Sequence, residues 1–210
     1  MSFRCLWTRR TLVVLFITLL IVFELTAYAI TTPRPREEFF QFYILGANHM
    51  TSNYYPRNDA NIYISDRIAL YIGVCDEMGT VQLVSIRVKI GNQTIGAPDD
   101  LRASRAPLVT EFTRFLQQNE TWETPFVWTI ANGTMRNGSI NISMLRINNM
   151  TYQISDWSSK NGANFRLIFE LWTWRTDTNA FEYGWSANGQ HRVAWLQFWF
   201  NMTSDSIAPR

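Results

Sequence analysis

The feature that most constrains this chain is the run from Thr11 to Ile30, TLVVLFITLLIVFELTAYAI, apolar apart from its threonines and Glu24. Wound as a helix at 1.5 Å per residue, about 20 residues span about 30 Å, the thickness of the bilayer hydrocarbon. Arg4, Arg9 and Arg10 precede the run, and the positive-inside bias holds that end in the cytoplasm. Glu24 lies close enough to the outer interface to reach the headgroups. Two readings of the segment remain open. In one, residues 1–30 are a cytoplasmic basic region and a transmembrane signal-anchor in the lipid bilayer through residues 11–30. In the other, Thr11 to Phe23 is the apolar region of a signal peptide cleaved after Ala27-Tyr28-Ala29. The length of the run favours the anchor. Both place everything after residue 30 outside the cell; the favoured anchor reading makes the expected product a single-pass protein of the cell membrane with an extracytoplasmic C-terminal domain.

The exported part is formally neutral. Taking Arg4, Arg9, Arg10 and Glu24 from the 19 basic and 17 acidic residues leaves 16 of each. No basic run offers phosphates a surface, which argues against nucleic acid as a partner. Cys5 lies before the membrane segment and Cys75 after it, so the two cannot pair, and Cys75 reads as a small buried hydrophobe.

Residues 31–38, TTPRPREE, form a stalk in which Pro33 and Pro35 disfavour helix. A domain over 39–203 and a tail over 204–210 follow. The hydrophobic period becomes two. Val84, Ile86, Val88 and Ile90 alternate with Ser85, Arg87 and Lys89, and Gly91-Asn92 is expected to turn the chain. Strands are also expected at 39–45, 61–75 (a strand pair or one long bent strand, with Gly73 as a bulge), 122–130, 140–147, 150–154, 165–174 and 192–200, with turns at Asn132-Gly133 and Asn137-Gly138. The 165–174 run, FRLIFELWTW, is apolar on both faces, as a central strand would be. Leu108, Phe112, Phe115 and Leu116 recur at three to four residues, which predicts a short helix after Pro107. Repeated short strands define a mainly β fold, a β-sandwich preceded by one transmembrane helix.

Catalytic signatures are missing. His49 and His191 are the only histidines, neither beside a second ligand at a metal spacing, and the pairs Asp76-Glu77 and Asp99-Asp100 read as loop carboxylates. No enzyme activity, metal or cofactor is expected. The richest signal is the set of Asn-x-Ser/Thr sequons at Asn92, Asn119, Asn132, Asn137, Asn141, Asn149 and Asn201. Chance would supply roughly two or three, so they point to an N-glycosylated surface domain, although turns favour the same residue types. Eight of the nine tryptophans fall between Trp122 and Trp199. Alternation puts Trp172 and Trp174 on one face of a strand and Trp195 and Trp199 on one face of another. They serve either as packing between two sheets or as an aromatic platform for sugar rings.

The segments FQFYILG (40–46), with PRPRE before it and YYP (54–56) after it, then IALYIGVCDE, NETWETPFVWTI, FRLIFELW and RVAWLQFWFNMT, occur in an order that resembles the family called domain of unknown function 1616, archaeal membrane proteins. The resemblance covers residues 30 to 203. It implies an immunoglobulin-like sandwich on the archaeal cell exterior and supplies no activity. Where that family often has Gly-x-x-Asn-His-Glu, this chain reads Gly73-Val74-Cys75-Asp76-Glu77-Met78, so any role of that turn does not carry over. The loop over 97–118 is also longer than usual. Three functions follow as expectations: a glycosylated structural or interaction module of the cell envelope, with envelope proteins or glycans as partners; a carbohydrate-binding module using Trp172, Trp174, Trp195 and Trp199; or a strand-donating filament subunit, released by cleavage after Ala29.

Overall fold

The computed structural model describes residues 9–32, 37–203, 205 and 207, with only the backbone of Arg10, Ser155 and Asp156. The expectations that rest on Arg4, Cys5, Pro33, Pro35 and most of the 204–210 tail lie outside the described residues. The chain forms two units, Met1–Arg36 and Glu37–Arg210.

The first unit holds helix α1 (Arg9–Thr31). Its stretch Thr11–Thr31, 21 residues long, is long and apolar enough to cross a membrane. The threonines do not spoil this. The hydroxyls of Thr18, Thr26 and Thr31 donate back to the carbonyls of Val14, Val22 and Ala27 at 2.9, 2.7 and 2.7 Å, so their polar atoms are satisfied inside the helix.

The second unit is built from antiparallel strands. The first sheet runs in the order β1 (Phe40–Gly46), β2 (Ile68–Asp76), β5 (Thr121–Arg136), β6 (Ser139–Ile147), β7 (Met150–Lys160). The second runs β12 (Trp195–Phe200), β8 (Phe165–Arg175), β3 (Gln82–Asn92), β4 (Leu108–Leu116), and β9 (Ala180–Tyr183) pairs with the far end of β8. A small hairpin, β10 (Trp185–Ala187) and β11 (Gln190–Arg192), precedes β12.

Period-two alternation explains how the sheets face each other. Ile68, Leu70, Ile72 and Val74 of β2, with Phe126, Trp128 and Ile130 of β5, are buried from the first sheet. Val84, Ile86, Val88 and Ile90 of β3, with Phe165, Leu167, Phe169 and Leu171 of β8, are buried from the second. The two sets meet in one core. Phe126 meets Phe169 edge to face at 5.1 Å, and Trp128 lies against Phe198 at 5.9 Å and Phe200 at 5.1 Å, arrangements that aromatic quadrupoles favour. At one margin the hydroxyls of Thr110 (β4) and Tyr152 (β7) are 3.0 Å apart. The result is a β-sandwich, compatible with the immunoglobulin-like layout that the resemblance implies.

The local expectations diverge in five places. The strand expected from residue 61 begins only at Ile68, because the chain first makes a single bridge, Asn61 to Asn201, and a turn in which the Asp66 N–H donates to Tyr63 O at 3.0 Å. The helix after Pro107 is instead strand β4, paired with β3 from Gln82↔Leu116 to Lys89↔Leu108. Phe112 and Leu116 are four apart, a spacing that suits one face of a strand as well as one face of a helix. Phe115 points the other way and is 65% exposed. Gly91-Asn92 does not turn the chain, because β3 continues through Asn92, which pairs with Phe165. Asn132-Gly133 is a bulge within β5 rather than a turn. Gly73 is in regular register between Tyr43 and Glu123. It makes room for a neighbour, since a Cβ there would lie 2.1 Å from the Tyr43 ring. Asn137-Gly138 is the expected turn, with φ of 48° and 72°, the double positive φ of a type I′ hairpin.

Candidate functional site

The outer face of the second sheet concentrates the unusual chemistry. Since Phe165, Leu167, Phe169 and Leu171 point into the core, their neighbours Arg166, Ile168, Glu170, Trp172 and Trp174 point outward. Phe198 and Phe200 likewise send Trp195, Gln197 and Trp199 outward. The tryptophans Trp172, Trp174, Trp195 and Trp199 therefore share this face, half-buried, and none lies in the core between the sheets. Register sets Trp195 opposite Glu170 and Trp199 opposite Arg166. Core packing belongs instead to Trp122, Trp128 and Trp185, all buried.

Two of the four indoles carry a guanidinium. Arg87 lies 3.9 Å from the Trp172 ring centre and Arg166 lies 4.8 Å from that of Trp199. Trp174 packs edge-on against Phe181 at 5.2 Å. Arginine stacked on indole is held by cation–π attraction, so the face alternates planar cations and aromatic rings. Arg87 also pairs with Glu111 at 3.1 Å. Arg166 donates to Gln197 at 3.1 Å and to the carbonyl of Ile95. Burial pulls the Arg166 guanidinium below its ordinary value, yet an arginine keeps its charge.

Residues 93–107 cross this face as a strap between β3 and β4. Beneath it lies an ion pair, Lys89 Nζ to Glu170 Oε2 at 2.8 Å, with side chains 9% and 0% exposed. Both partners also bind the backbone of one strap residue. The N–H of Ser104 donates to Glu170 Oε1 at 2.7 Å, and Lys89 donates to the Ser104 carbonyl at 2.7 Å. The Trp172 indole N–H completes the Glu170 carboxylate at 3.0 Å. Tyr183 packs beside Trp172 with ring centres 5.8 Å apart. Its hydroxyl is buried without a hydrogen-bond partner. Burial, then the charges of Glu170, Asp99 and Asp100, push its pKa up from the ordinary value. The strap is held internally as well: Ser104 Oγ donates to Gly96 O at 3.2 Å, and Asp99 accepts from the N–H groups of Leu101 and Arg102.

The sequons are distributed elsewhere. Asn119, Asn137 and Asn149 are exposed turn residues with φ of 61°, 48° and 71°. Asn132, at the β5 bulge, is exposed, and Asn141 lies half-buried on the outer side of β6 between Ile140 and Ile142, which point into the core. Asn201 is half-buried, and its Oδ1 accepts from the N–H of Asn164 at 2.9 Å. Asn92 is buried on the inner side of β3. Its Nδ2 donates to Ser158 O at 2.8 Å, and its Oδ1 accepts from Thr94 N and Oγ1. No sequon asparagine points out from the strands of the second sheet.

His49 has a partner that its sequence neighbours do not reveal. It comes from the β1–β2 connection to stack on Tyr71 at 3.8 Å and meet Glu123 at 2.5 Å. Tyr43 crosses Gly73 to reach the same carboxylate at 3.5 Å, and burial, then the Glu123 charge, raises its pKa. His191 lies exposed in β11. Cys75 is buried and unpaired, with its thiol 3.7 Å from Glu77. Among the described residues no group of three or more His, Cys, Asp or Glu is placed to hold a metal ion.

No protein-family model matches the chain, and no curated protein matches it in sequence. Solved structures resemble it only distantly. The sporulation control protein Spo0M from Bacillus subtilis aligns over 79% of this chain and 50% of its own, with 7% identity and a TM-score of 0.35. A beta-glucosidase from Listeria innocua, in complex with glucose, aligns over 80% of this chain and 16% of its own, with 9% identity and a TM-score of 0.36. The beta-D-glucoside glucohydrolase from Trichoderma reesei aligns over 86% and 22%, with 10% identity and a TM-score of 0.32. The chain thus spans at most half the length of these proteins, and likeness at this level carries no argument about what it does.

Proposed function

We propose that the chain is a membrane-tethered, N-glycosylated interaction module of the archaeal cell envelope, akin to the domain of unknown function 1616 family, and that the outer face of its second sheet is the contact surface. Helix α1 supplies the tether, with its N-terminus in the cytoplasm and the sandwich outside. The observation that carries the reading is the division of labour between the two sheets. Asn132 and Asn141 lie on the outer side of the first sheet and Asn119, Asn137 and Asn149 at turns, whereas the outward positions of the second sheet's strands hold Trp172, Trp174, Trp195 and Trp199 and no sequon asparagine; Asn92 of β3 points inward, and Asn201, just past β12, is half-buried and bonded to Asn164. Glycans at the former positions would shield one side and leave the aromatic side bare. Tryptophan and arginine are also the residues that dominate the energetics of protein contacts.

A photoreactive phenylalanine analogue in place of exposed Gln197, incorporated in cells of the source organism, tests this. Adducts to a specific envelope protein are expected from position 197, and none from the same analogue in place of Arg146, which pairs with Thr129 on the first sheet. Equal labelling from both positions, or none from 197, overturns the reading. Carbohydrate binding is the second reading, favoured by the number of indoles on one face. Since guanidinium groups already cover a face of Trp172 and of Trp199, and Trp174 packs against Phe181, Trp195 is the indole that would have to lead it.

A further inference from the structure

The Lys89–Glu170 pair does something more specific than neutralise charge. A residue in an extended chain offers one N–H and one C=O, and these two side chains take both from Ser104. Charged partners make such bonds roughly twice as strong as neutral ones. The strap contributes little else to the core: only Pro98, Ser104 and Ala106 are buried between Gln93 and Pro107, while Leu101 is 79% exposed. Connections longer than about 12–15 residues without secondary structure are usually either functional or unstructured linkers, and this one is of that length yet held in place through Ser104. Under it, the Tyr183 hydroxyl holds hydrogen-bonding capacity that the strap does not use. Trp172 and Arg87 form the adjoining wall.

We propose that Lys89, Glu170, Trp172 and Tyr183 form a slot for an extended peptide segment of a partner protein, which the strap fills through Ser104 when no partner is present. The strap shows what the slot accepts: an extended backbone with a small residue at the centre, here Ala103-Ser104-Arg105. A bulky residue at that centre would meet the buried pair. Binding then requires the strap to leave, and the partner gains the two charge-assisted bonds plus the Tyr183 hydroxyl. This deepens the contact-face reading, because the slot opens onto that face.

The test uses the full chain in detergent, with residues 97–105 replaced by a short Gly-Ser linker, and a labelled peptide copying Ala97 to Arg105. Fluorescence anisotropy should show saturable binding at least tenfold tighter than to the unaltered chain, whose own strap competes. A peptide with Ser104→Trp should lose at least tenfold, as should Glu170→Gln in the shortened chain. A shortened chain that unfolds cooperatively yet binds no peptide, or binds it equally after Glu170→Gln, overturns the slot. If the shortened chain does not fold, trypsin reads the same question, since Arg102 and Arg105 are exposed in the strap. Glu170→Gln in the otherwise unaltered chain should speed cleavage there at least tenfold, and no acceleration refutes the proposal. Crosslinking failure at position 197 with intact peptide binding would remove the contact face in cells and leave the slot standing.

Discussion

The Phe126–Phe169 contact offers the most direct measurement of how the two sheets are registered. Both rings are 0% exposed, and they meet edge to face at 5.1 Å across the sandwich. Truncating a buried phenylalanine to alanine costs about 3–5 kcal/mol through lost transfer energy and the cavity left behind. Replacement by leucine keeps part of the volume, so each of Phe126→Leu and Phe169→Leu should cost about 1–2 kcal/mol. The pair term, absent once either ring is gone, is about 0.5–1.5 kcal/mol. The double variant should therefore be destabilised by less than the sum of the single variants, by that amount. Urea unfolding of the full chain in detergent, followed by circular dichroism, reads it. With a slope of about 2 kcal/mol per molar, each single substitution moves the midpoint by about 0.5–1 M. A slip of one residue in β8 would turn Phe169 outward. Strict additivity, or a cost near zero for Phe169→Leu, would refute the facing of the sheets described above.

Further outcomes follow from single residues. Burial raises the pKa of Tyr43, Tyr55 and Tyr183, so their contribution to stability is intact below the ordinary tyrosine pKa near ~10. It is lost as pH climbs through the raised folded values, because the unfolded chain ionises first. Tyr183→Phe should flatten that alkaline limb, seen in unfolding midpoints against pH. It should also leave neutral-pH stability unchanged or raise it by about 1 kcal/mol, since the hydroxyl has no partner to lose. Gly162 has φ of 69°, and a Cβ on it would lie 1.9 Å from the Met202 carbonyl oxygen. Gly162→Ala should cost at least about 2 kcal/mol, beyond the 1–2 kcal/mol of the left-handed conformation alone, and an unchanged melting temperature would contradict the docking of the 160–164 turn on Met202. Asn137→Gln should lower the intact mass of the native protein by one glycan. Asn92→Gln should leave the mass pattern unshifted by a glycan while lowering the melting temperature, because Asn92 is spent on Ser158 and Thr94; a lost glycan there would show that the sugar is attached before β3 closes.

Much of the architecture is legible in local pattern. The alternation from Val84 to Ile90 marks β3 and its buried face, and the both-faces-apolar run from 165 to 174 marks the central strand β8. What that run conceals is which apolar face is the core. Phe165, Leu167, Phe169 and Leu171 point inward, while on the opposite face Ile168 is buried and Trp172 and Trp174 are covered by Arg87 and Phe181. β4 was hidden because a four-residue spacing fits either period. The site itself was less legible. Lys89 and Glu170 meet across paired strands, His49 reaches Glu123 from the β1–β2 connection, and no local period links residues so distant in sequence. Seven sequons could be read directly, but the engagement of Asn92 in the β3 end and the clustering of others away from the second sheet depend on register.

The strap has a consequence for how this surface can change over generations. Its two ends leave paired strands that are already fastened together, with Ile90 donating to Pro107 O at 3.4 Å and Lys89 opposite Leu108. Closing such a loop grows more costly only slowly with length, by about 0.6 kcal/mol for each doubling. Insertions and deletions between Gln93 and Pro107 are therefore cheap for the fold, provided a small residue still reaches the Lys89–Glu170 pair. The sandwich can stay constant while the strap diversifies, which makes this hairpin loop the place where descendants of one scaffold would acquire different specificities.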